Sequence, residues 1–178
     1  DTLSGGAGND TLALGTGFTT TDPIDGGAGT DTMSATIATT TTLSGTSIEV
    51  VEVTFNTGGA LNAGSLDAGT SITGVGGTTT EGIIVNIKDG TTVTNTGGVE
   101  LETITLDTAI GAGLTVTLLE TATNALTITD AVSVTINAAN SAATAGVGST
   151  GLDGTDTTSL TVTGSDKAFA LSVGHVTG

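Results

Sequence analysis

One nine-residue phrase occurs twice in the first 34 residues of this 178-residue chain, and it leaves the backbone few options. Gly5-Gly6-Ala7-Gly8-Asn9-Asp10-Thr11-Leu12-Ala13 and Gly26-Gly27-Ala28-Gly29-Thr30-Asp31-Thr32-Met33-Ser34 both read Gly-Gly-x-Gly-x-Asp-x-U-x, where U is a large apolar residue. Glycine tolerates positive φ, so such a phrase turns tightly and can aim its carbonyl oxygens inward. The U residues Leu12 and Met33, two positions after each Asp, are expected to lie in a short strand and point into a core. Leu3 stands in the same relation to Asp1, so a third, truncated copy of the phrase ends at Asp1. Twelve residues, Leu14 to Asp25, separate the complete blocks and carry the only Pro, Pro23. They read as an insertion that breaks nine-residue stacking.

The rest of the chain must build its core without aromatics. Trp, Tyr, Cys and Arg are absent, Phe occurs three times, and Thr makes up about a quarter of the residues. Thr and Val favour strands, while long-chain helix formers are scarce. Leu114-Thr115-Val116-Thr117-Leu118, Leu126-Thr127-Ile128-Thr129, Val132-Ser133-Val134-Thr135-Ile136 and Leu160-Thr161-Val162-Thr163 alternate aliphatics with hydroxyls, the pattern of strands buried on one face. The expected fold is all-β: a right-handed parallel β-roll or β-solenoid, with a β-sandwich from about residue 35 onward as the alternative. Residues 1–34 form the glycine-block region and 35–178 a Thr/Gly-rich strand region of a longer chain. Within the second region, Ile48 to Phe55 resembles Val99 to Leu106 at an offset of 51 residues, a spacing typical of repeat architectures.

Charge points to the ligand class. The net charge is -16 because Lys88 and Lys167 are the only cations against 18 acidic residues. With no basic patch to displace counterions, nucleic acid is excluded as a partner. No apolar run reaches the roughly 20 residues of a membrane span. Without Cys there is neither a disulfide scaffold nor a thiolate zinc site. Unpaired carboxylates call for divalent cations, and a hard cation takes six to eight oxygens. The Gly-Gly-x-Gly-x-Asp-x-U-x nonapeptide is a calcium-binding β-helix repeat. The expected Ca2+ ligands are the Asp10 and Asp31 carboxylates and the main-chain oxygens of Gly5, Ala7, Gly26 and Ala28. Asp1 and Asp25 are further candidates. So are Asp153 and Asp156 of the degenerate block Gly151-Leu152-Asp153-Gly154-Thr155-Asp156. One turn cannot complete such a shell, so stacking and metal binding would be one event.

These blocks resemble the repeats-in-toxin family of calcium-dependent secreted proteins. The resemblance implies a parallel β-roll with ions between its turns, type I secretion and folding outside the cell. The remainder is similar in composition to surface-layer proteins of Gram-negative bacteria, whose apolar-Glu-Thr-apolar phrase has an echo in Glu102-Thr103-Ile104. The expectation is a structural, non-enzymatic component of an extracellular surface layer or filament. It would be located at the cell surface and self-associate into a lattice, with cell-surface polysaccharide as a further partner. A calcium-stiffened module of a large adhesin is the alternative. Ice binding and the secretion domain of a hydrolase stand behind it, and the irregular spacing of the Thr-x-Thr strands speaks against an ordered ice-matching array. His175 is the only His, and Glu49, Glu52, Glu100 and Glu102 read as solvated edge residues rather than an acid–base pair.

Overall fold

The computed structural model describes residues 2–15, 22–56, 59–76, 81–95, 103–108, 112–118, 125–129, 133–137, 144–147, 159–163 and 170–173. All regular structure among them is strand. A two-stranded sheet joins β1 (Leu3–Ala7) to β3 (Ile24–Ala28). An eight-stranded sheet runs through β2 (Thr11–Ala13), β4 (Thr32–Ile37), β6 (Val50–Phe55), β8 (Ser71–Gly76), β10 (Thr91–Asn95), β12 (Gly113–Leu118), β14 (Ser133–Asn137) and β16 (Ser159–Thr163). A seven-stranded sheet runs through β5 (Thr40–Ser44), β7 (Ala60–Ser65), β9 (Glu81–Ile87), β11 (Thr103–Thr108), β13 (Ala125–Thr129), β15 (Thr144–Val147) and β17 (Ala170–Val173). Every pairing is parallel, and strands alternate between the two large sheets along the chain. This is a parallel β-solenoid. The sandwich alternative gives way to it, because the same parallel stacking continues from β4 to β17.

The core explains why the chain tolerates so few aromatics. Leu12, Met33, Val51, Ile72, Val93, Val116 and Ile136 occupy one register row of the eight-stranded sheet, and all are buried. Leu61, Ile84 and Ile128 are buried on the facing sheet, and both sets belong to one hydrophobic cluster. Each fully buried aliphatic contributes about 1.5–3 kcal/mol. A narrow two-layer interior is filled by such side chains without ring-sized volumes. Phe55, 1 % exposed, is the largest of the fully buried side chains among the described residues.

Coil length varies while register does not. Successive residues of one row lie 21 apart from Thr11 to Thr32, 18 from Thr32 to Val50 and 26 from Thr135 to Thr161. The change in composition at residue 34 falls inside β4. The 51-residue similarity is not a structural repeat: Val50–Phe55 lies in the eight-stranded sheet and Thr103–Thr108 in the seven-stranded one. Apolar–polar alternation alone made those segments look alike.

Candidate cation-binding turns

The two glycine blocks stack directly on one another. Leu3 pairs with Ile24, Ser4 with Asp25, Gly6 with Gly27 and Ala7 with Ala28. Residues Leu14 to Asp25 are therefore no interruption of the stack. The 21-residue spacing between the blocks is the length of one coil, which brings the second block under the first. The two blocks adopt the same backbone: φ is +101° at Gly6 and +102° at Gly27, values an L side chain rarely takes. A Cβ at Gly27 would also run into the Gly6 carbonyl oxygen. The glycines permit both the turn and the close approach of the next coil.

Each Asp folds into its own turn. Asp31 is 0 % exposed and Asp10 is half-buried. The Asp10 backbone N–H donates to Asp31 Oδ1 at 2.8 Å, and the Asp31 N–H donates to Glu49 Oε2 at 2.8 Å. Asp10, Asp31 and Glu49 thus form a ladder down three coils. A second rail runs beside it, with the Thr30 N–H donating to Asn9 Oδ1 at 3.0 Å. The remaining oxygens, Asp10 Oδ2 and Asp31 Oδ2, are buried and accept no hydrogen bond.

Those two oxygens lie against glycines. A Cβ at Gly5 would meet Asp10 Oδ2 at 2.8 Å and also the Gly26 carbonyl oxygen. A Cβ at Gly26 would meet Asp31 Oδ2 at 2.8 Å and also the Ser47 carbonyl oxygen. Two cradles that only glycine leaves open are thus each flanked by an unpartnered carboxylate oxygen and a carbonyl oxygen. An unpaired buried carboxylate is costly unless a positive charge reaches it. The donor set is all oxygen, as a hard cation requires. Among the described residues no three acidic or histidine side chains gather as a metal cluster. A cation here would take much of its shell from the backbone, and the residues fit that description.

The expected ligands distribute unevenly over this geometry. Asp10, Asp31, Gly5 and Gly26 line the cradles. The Ala28 carbonyl already accepts the Gly8 N–H at 2.8 Å, and Ala7 lies with it in the paired strands. Asp25 is exposed, and its Oδ1 accepts the Thr46 hydroxyl at 3.0 Å. Asp1, Asp153, Asp156, Glu100, Glu102 and His175 lie outside the described residues. Leu3 is 38 % exposed rather than in the core, because β1 has only β3 beside it. Glu52 is exposed, as read from sequence.

Glu49 is exposed, as read from sequence, but its bond to the Asp31 N–H and the part of Ser47 were missed, although a signal existed. Glu49-Val50-Val51 keeps the acid-x-apolar order of Asp10-Thr11-Leu12 and Asp31-Thr32-Met33, and the register aligns all three. The third turn is three residues shorter than the second, so a glycine-block search passes over it. The longer Glu side chain reaches back to the Asp31 N–H, and Ser47 takes a positive φ of 55° in place of glycine.

No family model, curated protein or solved structure matches this chain.

Proposed function

We propose that this chain is a calcium-stiffened structural module of an extracellular surface layer or filament. The observation that carries the reading is the fully buried Asp31, whose Oδ2 has no hydrogen-bond partner and sits in the Gly26 cradle within a ladder of acids. Calcium would supply the positive charge that Asp10 Oδ2 and Asp31 Oδ2 lack. The chain's own residues do the rest. The glycines let adjacent turns approach, the Gly26 and Ser47 carbonyls offer further oxygens, and the ladder holds each acid in place on the next coil. Lys88 is the one cation among the described residues, and it lies in the turn after β9, remote in sequence from the blocks. The turns therefore stack fully only where divalent ions are plentiful, in the sub-millimolar to millimolar range of extracellular sites.

Stacked strands of the eight-stranded sheet extend about 34 Å at the usual inter-strand spacing of about 4.8 Å. Such a unit suits assembly with its own kind, with surface polysaccharide as an anchor. Among the described residues no helix is long and apolar enough to cross a membrane. Negative-stain images of the native protein with calcium and with a chelator test the reading. Sheets or filaments that dissolve on chelation support it. Isolated rods in both conditions overturn the lattice and favour an adhesin spacer.

A further inference from the structure

The outward face of the eight-stranded sheet carries two rows of hydroxyls that the Asp ladder does not use. One register row reads Thr11, Thr32, Val50, Ser71, Thr92, Thr115, Thr135, Thr161. The other reads Ala13, Ser34, Glu52, Thr73, Thr94, Thr117, Asn137 among the described side chains. From β8 onward both rows consist only of Ser, Thr and one Asn. The irregular spacing of the Thr-x-Thr strands in sequence spoke against such alignment, but the strands keep register across coils of 18 to 26 residues.

Two properties make this face unusual on such a chain. It is neutral: beyond Glu52 neither row holds a charge, although the whole protein carries -16. It is ordered: Thr92, Thr94, Thr115, Thr117 and Thr135 are half-buried, flanked on both sides by neighbours of the same row, and β-branched side chains are stiff at χ1. Beneath them Val93, Leu114, Val116, Val134 and Ile136 are buried and fix the strands.

Hydroxyls so placed repeat about every 4.8 Å across the strands and about 6.6 Å along them, by standard strand geometry. Among the described residues, the one hydrogen bond linking the rows' side chains to each other is Asn137 Nδ2 to Thr117 Oγ1 at 3.5 Å. The other hydroxyls can therefore hold water, and their two repeats lie near the oxygen repeats of the faces of hexagonal ice. We infer that the β8–β16 face orders water in an ice-like array and binds the surface of ice crystals. A neutral hydroxyl lattice complements a neutral water lattice. An ionic partner would find no counter-charge there.

The test uses the full chain in calcium buffer, reading thermal hysteresis and ice recrystallisation. The native protein is expected to shape crystals and slow recrystallisation, beyond an equal mass of serum albumin. Thr115→Tyr, in the middle of the face, should lose most of that activity. Thr94→Val, which keeps side-chain volume and so the fold, should lose a large part of it. Thr40→Tyr on the other sheet should keep it. No activity in the native protein above albumin overturns the inference, as does equal activity in Thr115→Tyr and Thr40→Tyr. Retention on crystalline chitin without any effect on ice also overturns it, by naming a different occupant. None of these outcomes depends on whether the protein forms sheets or filaments.

Discussion

Asp31→Asn separates two accounts of the acid ladder by the sign of its effect. The substitution preserves shape, and Oδ1 can still accept the Asp10 N–H now made at 2.8 Å. What changes is the second atom. In the native chain Oδ2 is buried and unpartnered on a residue with 0 % exposure. Leaving such a group unsatisfied costs about 1–3 kcal/mol, more when charged. The amide nitrogen that replaces it can donate toward the Ser47 carbonyl, which flanks the same cradle. In chelator the variant should therefore be more stable than the native chain by about 1–2 kcal/mol. Calcium should reverse the order. A ligand present at 100 times its Kd adds about 2.7 kcal/mol to the folded state. For an extracellular-type site with Kd of about 0.1 mM, that ratio is reached near 10 mM calcium. The native midpoint in urea should then rise by about 1–2 M more than the variant's, with m near 2 kcal/mol/M, because the variant keeps only the Asp10 cradle. The assay is urea unfolding followed by circular dichroism, each protein in calcium and in chelator. Equal calcium-induced shifts in both proteins would show that Oδ2 binds no ion, and the ladder would stand as a purely hydrogen-bonded device.

Other substitutions test the frame around the ladder. Gly27→Ala places a side chain at φ +102° and against the Gly6 carbonyl, so thermal unfolding should show a loss of about 1–3 kcal/mol in calcium. Ser47→Gly relieves a non-glycine residue at φ 55° and should give a small net gain of about 0.5 kcal/mol after the added flexibility of the unfolded chain, read by urea midpoint. Phe55→Ala empties the largest fully buried site and should cost about 3–5 kcal/mol, measured the same way. Hydrogen exchange should find the amides of Gly26 to Thr32 protected in calcium and open in chelator. Equal protection in both conditions would mean that the turns stack without an ion.

The sequence made the strand class plain because Thr-x-Thr alternation has a period of two wherever it occurs. It also singled out Asp10 and Asp31, since the glycines before them have no other use than a tight, closely stacked turn. It hid the coil length. A nine-residue phrase suggested nine-residue stacking, but the stacking distance is the 21 residues that return the chain to the same side. That distance is a property of the whole circuit, including turns whose sequences share nothing. It hid Glu49 for a related reason. The third turn reaches the same place by a shorter path, and only the paired register of Met33 with Val51 reveals the equivalence. The hydroxyl rows were visible one strand at a time, while their alignment depends on turns of unequal length that no strand-by-strand reading can sum.

Parallel stacking has a kinetic consequence. Each coil touches only the coils before and after it, so the separation in sequence between partners stays near one circuit however long the chain becomes. Relative contact order then falls with length, and the entropy of closing a loop is met afresh, at the same modest size, for every coil added. Growth of the fold becomes a zipper with one slow step, the first pair of coils. In this chain the acid ladder joins three successive coils, so an ion caught there would secure one such first pair, and the aliphatic rows beside it would follow without needing one of their own.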